Sequence, residues 1–183
     1  MLRKGTPANW LVFGYEVPDE PSRIRVRLWR QLKGLGAVYP DMSFCVLPDS
    51  KRIRSHLESL TLGHQEYGPY LVLEAKGLDK RDNETLSELF KEDLEKEYRE
   101  LVEECNEFLE EIRRNVATGN ITQTEVSELE EALDALERWF AKIRGKDFLR
   151  SSAQQRIDRV IVRCRRALLG FSEKAQLGML RSR

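Results

Sequence analysis

The spacing of apolar residues changes near residue 79. Before it, apolar positions come in short runs broken by proline and glycine. After it, they recur every three or four positions, the period of a helix with one buried face. The run 9–17 (NWLVFGYEV) is aromatic and β-branched, ends at Pro18, and predicts a first strand. Pro21 suits the first turn of a following helix, where a missing N–H costs nothing. Residues 22–35 (SRIRVRLWRQLKGL) carry both periods. Arg23, Arg25 and Arg27 alternate with Ile24, Val26 and Leu28 as in a strand, whereas Ile24, Leu28, Leu32 and Leu35 follow 3.6 spacing. The run is long for a strand, so a helix is expected, with Gly36 at its C-terminal cap.

Residues 37–47 (AVYPDMSFCVL) split at Pro40-Asp41-Met42, which predicts two short strands joined by a tight turn. Asp49 or Ser50 can cap a second helix that places Ile53, Leu57 and Leu60 at core spacing, with Gly63 and Gly68 beyond it. The run 69–75 (PYLVLEA) is a last strand. The order βαββαβ over residues 9–79 predicts an α+β fold: a ferredoxin-like domain with two helices on one face of an antiparallel sheet.

A long helix follows, capped by Asp82 or Asn83. Its stripe runs Leu86, Leu89, Phe90, Leu94, Tyr98, Leu101, Cys105, Phe108, Ile112 and Val116, a length on the order of 50 Å. Thr118-Gly119-Asn120 breaks it. Thr122 and Glu125 form a capping box for a helix carrying Val126, Leu129, Leu133, Leu136, Phe140 and Ile143, stopped at Gly145. A third helix starts near Ser151 or Ser152, with Ser152 and Gln155 at capping-box spacing. It carries Ile157, Val160, Ile161, Cys164 and Leu168 and is expected to end near Gly170. Residues 82–170 thus read as a charged three-helix, antiparallel extension, with 171–183 as a frayed tail.

Charge sharpens this division. The net charge is zero, but residues 1–60 hold ten basic and six acidic side chains. Residues 82–137 hold five basic and nineteen acidic, and residues 138–183 hold thirteen basic and three acidic. Pairing of these blocks within one chain needs the fewest assumptions; pairing between subunits or with outside partners is the alternative. No apolar run is long enough to span a membrane, and the N-terminus lacks the apolar segment of a secretory signal. Three widely spaced cysteines without a CxxC fit a reduced, cytoplasmic protein.

Candidate chemistry centres on the first helix. Arg23, Arg27 and Arg30 fall at i, i+4 and i+7 and share a face, flanked by Arg25 and Lys33, and no acid lies between Pro21 and Pro40. Phosphate binding needs such an unneutralised basic stripe, and arginine forks onto phosphate or a tetrahedral oxyanion. The competing reading is a solvated face whose arginines pair with the acidic helix between Glu84 and Glu111. No Asn or Gln on the basic side offers base readout. Arg156, Arg159, Arg163 and Arg166, with Arg165 beside them, form a second stripe, for which internal pairing is favoured. Trp10 and Trp29 read as core or subunit-contact residues, and Tyr15, Tyr39 and Phe44 as core rather than as a stacking platform. His56 and His64 lack partners at metal-ligand spacing, so no metal or cofactor is expected. Cys45, Cys105 and Cys164 read as small core residues. No nucleophile–base pair, phosphate loop or dinucleotide fingerprint is present, and no enzyme is expected.

Several pieces stand in a fixed order. Trp10 and Leu11 lie in the first strand, followed by Pro18. Then comes Pro21-Ser22-Arg23-Ile24-Arg25-Val26-Arg27-Leu28-Trp29-Arg30, running into Leu32-Lys33-Gly34-Leu35-Gly36-Ala37, and a later strand ends Val46-Leu47-Pro48. Together they resemble the N-terminal domain of the chromate-resistance regulator ChrB and, more distantly, the ferredoxin-like domain of PaaX-type regulators. The likeness is densest from Asn9 to Ala75. It implies a bacterial, cytoplasmic transcriptional regulator that responds to chromate and binds DNA near a transporter operon. Members commonly carry a second, C-terminal domain associated with chromate response. This sequence reaches Arg183 without one, so DNA binding is the part expected here, with phosphate contacts from Arg23, Arg25, Arg27, Arg30 and Lys33. A homodimer is expected from the edge strands and amphipathic stripes. The rival expectation is a non-enzymatic interaction module that pairs with a separate chromate-sensing or transport protein.

Overall fold

The computed structural model describes residues 9–17, 22–41, 44–149 and 151–181. Pro18, Pro21 and Met42, each expected at a turn or helix start, lie outside them. The fold is α+β, with a four-stranded antiparallel sheet and five α-helices among the described residues. Two compact units divide the chain: residues 1–93 with 146–150, and residues 94–145 with 151–183.

The first unit holds β1 (Trp10–Tyr15), α1 (Ser22–Leu35), β2 (Val38–Asp41), β3 (Phe44–Pro48), α2 (Lys51–Leu62) and β4 (Tyr70–Ala75). The start of α3 (Lys80–Thr118) also belongs to it. The sheet order is β2-β3-β1-β4, and β1 runs antiparallel to both neighbours. Side chains alternate across a strand, so Leu11 and Phe13 share a face with their partners Leu47 and Cys45. That face packs on Leu28 and Leu32 of α1 and on Ile53, Leu57 and Leu60 of α2, all buried. On the other face Trp10, Val38 and Val46 pack with Phe90 of α3. The Trp10 ring stacks on Phe90 at 5.2 Å, and Phe148 meets both rings edge-on.

Residues 22–35 are helical, as the length of the run requires. The end of α1 is a Schellman turn, in which Gly36 N–H donates to Lys33 O and Ala37 N–H donates to Leu32 O, both at 3.0 Å. Gly36 takes φ +90° there, and a Cβ would meet the Lys146 Cβ at 3.3 Å. At the head of α2, Ser50 Oγ accepts from Ile53 N–H.

Two local expectations in this unit are corrected. Pro40 and Asp41 lie within β2, and Asp41 pairs with Phe44, so the Pro-Asp signal continues the strand and does not form the turn. The register shifts between Val38 and Asp41. Proline cannot donate to the ladder and is tolerated here because β2 is an edge strand. The cap of α3 is Asp79, not Asp82 or Asn83. Asp79 Oδ1 accepts from the N–H groups of Arg81 and Asp82, while Asp82 Oδ2 accepts from those of Leu78 and Asp79. This frees Asn83, whose Oδ1 takes the buried Trp10 indole N–H at 2.9 Å.

The second unit is formed by α3 from Leu94, by α4 (Gln123–Lys146) up to Gly145, and by α5 (Ser152–Arg181). All six stripe positions expected on α4 are buried, and Thr122 Oγ1 accepts from Glu125 N–H as its cap. Helix α4 runs one residue past Gly145. Helix α5 includes Ser152 and continues through Gly170 to Arg181. Glycine inside a helix costs about 1 kcal/mol, less than the burial of Phe171 and Ala175 returns. The expected end at Gly170 is therefore corrected.

Candidate functional site

Helix α1 buries Leu28 and Leu32 against the sheet, which turns its opposite face to solvent. At 100° per residue that face is built by Arg23, Val26, Arg27 and Arg30. The three arginines are exposed, and none of them makes an ion pair with another described residue. With Val26 and Gln31 they line an open depression of about 540 Å³. The short 3-10 turn Gln65–Tyr67 lies within electrostatic reach of them. The Tyr67 phenol is raised by its hydrogen bond with Glu66, and the charges of Arg27 and Arg23 work against that rise.

Lys33 is not part of this group. Its Nζ sits 2.7 Å from both carboxylate oxygens of Asp93, and the pair is partly buried. Arg25 is also set apart, on a second flank of α1, and it is already engaged within the protein. There a depression of about 470 Å³ is lined by Trp29, Tyr15, Tyr39, Pro40 and Val26, together with Arg25 and Asp41. Trp29 is 46% exposed and Val26 43%. Trp29 is thus not a core residue, whereas Trp10 is fully buried. The signal is present in the sequence: Trp29 follows Leu28 by one position and so falls on the flank of the Ile24, Leu28, Leu32, Leu35 stripe, not within it.

Tyr39 and Tyr15 are partly buried and pack against the helix-side core. The Tyr39 hydroxyl is buried beside Tyr15 and Cys45, and burial pushes its phenol far above the ordinary range. Burial likewise pushes the neighbouring Cys45 thiol up to about 12. Cys105 and Cys164 are buried too, and the Cys164 Sγ–H donates to Cys105 O at 3.7 Å. His64 is buried with Nδ1 2.9 Å from Leu60 O, and its own carbonyl accepts from the Tyr70 hydroxyl. Among the described residues no group of three or more His, Cys, Asp or Glu is placed to hold a metal ion. In the second unit Arg165 pairs with Glu137 of α4 at 2.5 Å, while Arg156, Arg163 and Arg166 stay exposed.

The arrangement can therefore hold an anion along α1 and a flat or apolar group beside it, between Trp29 and the two tyrosines. No helix among the described residues is long and apolar enough to cross a membrane. A family model described as Protein ChrB, N-terminal, matches residues 25–179, from within α1 to near the end of α5. The match extends well beyond the segment ending at Ala75 where the likeness is densest. No curated protein and no solved structure matches the chain.

Proposed function

We propose, from the premise that this chain belongs to the ChrB N-terminal family, that it serves chromate-resistance regulation by binding DNA through α1. The observation that carries the reading is the exposed trio Arg23, Arg27 and Arg30, unpaired with other described residues, on a face that the sheet leaves to solvent. Each arginine that neutralises a phosphate releases condensed counterion, so such a stripe gives affinity without sequence readout. The β2-β3-β1-β4 order with helical crossovers supports the ferredoxin-like reading of the first domain, and the shared core of α3, α4 and α5 supports the helical extension. In this reading the protein is a non-enzymatic cytoplasmic homodimer. Gln31 lines the same depression, which corrects the expectation of no amide on the basic side, but a single amide on α1 leaves most base specificity to come from elsewhere.

The test is a titration of the full chain with duplex DNA from upstream of its own gene, repeated over a range of salt. Replacing Arg23, Arg27 and Arg30 with Ala is expected to weaken binding at low salt. It should also lower the slope of log K against log salt by roughly 0.9 for each phosphate that is no longer neutralised. Binding that is absent at low salt, or unchanged in the triple variant, rejects the reading.

A second reading is favoured by β4. It is an edge strand, and Leu71, Val72 and Leu73 are all exposed along it. Such an edge suits pairing with another chain, as in an interaction module that partners a chromate-sensing or transport protein. Leu71→Lys with Leu73→Lys would abolish that association and leave DNA binding intact.

A further inference from the structure

We propose that the aromatic depression on α1 receives an unpaired base of a single-stranded nucleic acid, whose phosphates lie on the Arg23, Arg27 and Arg30 stripe. This deepens the preceding reading and rests on it: the same helix is the contact surface, but the nucleic acid is locally unpaired.

Three observations converge. Val26 lines both depressions, so the arginine stripe and the aromatic walls adjoin across one exposed side chain. Trp29 is nearly half exposed although it is the largest apolar side chain on the helix. A large ring left in water beside a basic stripe is what a stacking platform requires. Finally, the depression holds about 470 Å³ between Trp29, Tyr15, Tyr39 and Pro40, ample for one planar heterocycle.

The charge pattern selects the occupant. An apolar peptide would use the aromatic walls but would leave three arginines unpaired beside it. A duplex would use the arginines, but its bases are stacked within the helix and cannot enter between Trp29 and the tyrosines. A single strand uses both, because every base offers a π-face and every linkage a phosphate. Arg25 and Asp41, each already engaged within the protein, also line the depression and supply polar edges for the base.

The experiment titrates the full chain at low salt with an oligodeoxythymidine of about 15 nucleotides, with a duplex of equal length, and with free thymidine monophosphate. Binding is read by tryptophan fluorescence and by anisotropy of a labelled strand. The single strand is expected to bind more tightly than the duplex and to quench Trp29. Trp29→Phe should remove the quench and retain most affinity. Trp29→Ala should weaken the single strand on the order of ten-fold or more, the usual worth of one stacked base, with duplex binding unchanged. Trp29 is exposed, so both variants should fold, and a thermal melt checks this. If the single strand binds no better than the duplex, or Trp29→Ala leaves it unaffected, the inference is overturned while arginine-mediated DNA binding stands. If neither nucleic acid binds at low salt, both readings fall. Quenching by the free nucleotide at the concentrations at which the strand acts would overturn the inference in favour of a mononucleotide pocket.

Discussion

Replacing Phe90 with Ala tests how the sheet's second face is closed. The ring is 2% exposed, stacks on Trp10 at 5.2 Å and 10°, and meets Phe148 at 5.1 Å and 79°. Deleting a buried phenyl ring costs about 3–5 kcal/mol. Within that, the two ring pairs contribute about 0.5–1.5 kcal/mol each. Alanine is the better helix former, which returns about half a kcal/mol. The expected net loss is therefore about 2.5–4.5 kcal/mol, or roughly 1.3–2.3 M in urea midpoint at a slope of ~2 kcal/mol per M. Phe90→Leu keeps most of the apolar volume and loses only the ring pairs, so about 1–3 kcal/mol is expected. The assay is urea unfolding of a Trp29→Phe, Trp139→Phe background, in which Trp10 is the only emitter and reports this cluster directly. A loss below ~1 kcal/mol for Phe90→Ala, or a leucine variant as unstable as the alanine one, refutes the reasoning.

Four further outcomes follow from individual interactions. Lys33→Ala should leave the salt dependence of DNA binding unchanged, because Asp93 already neutralises Lys33, whereas Asp93→Ala should steepen it by releasing a cation next to the stripe. Asp49 is held below its ordinary 3.8 by hydrogen bonds from Arg54, so its contribution to stability is whole above that value and is lost as pH falls through the depressed one. Acid titration of stability should accordingly be shallower in Asp49→Asn than in the wild type. Gly68→Ala places a Cβ 1.9 Å from Glu16 O at φ +153°, and should lower the midpoint of thermal unfolding by many degrees. Cys45, with its thiol pushed up to about 12 by burial, should resist iodoacetamide at pH 8 in the folded protein and react fully in urea, as followed by mass spectrometry.

Much of the fold is written in local periodicity. The four strands and the full apolar stripe of α4 follow from spacing and turn residues, whereas residues 22–35 carry both periods and are decided for helix by the length of the run, the order of elements and the family likeness. What escapes such reading are features decided by distant partners. Asp79 wins the α3 cap because Asp82 returns the bond to the Leu78 and Asp79 N–H groups, and because Asn83 is drawn to the Trp10 indole; propensity ranks all three alike. Gly170 reads as a stop, yet Phe171 and Ala175 find a core beyond it. The geometry of the candidate site is legible in outline. The i, i+4, i+7 arginines are together, as the helix period requires. The removal of Lys33 by Asp93 joins residues sixty positions apart, which no local pattern encodes. Trp29 reads as a core or subunit-contact residue because a large ring is usually covered; its place on the flank of the stripe tells against the core.

The first unit is finished by a segment that comes late. Phe148 closes on Trp10 and Phe90, yet it is translated only after the whole of α4. At about 5–20 residues per second, Trp10 waits on the order of ten seconds for that ring. During this interval the sheet's second face lacks its last cover. Nascent chains cut short within α4 should therefore be drawn into aggregates or degraded, and slow codons placed before Phe148 should lower the yield of folded protein. The position of one aromatic residue should thus make the protein's maturation sensitive to the tempo of its own synthesis.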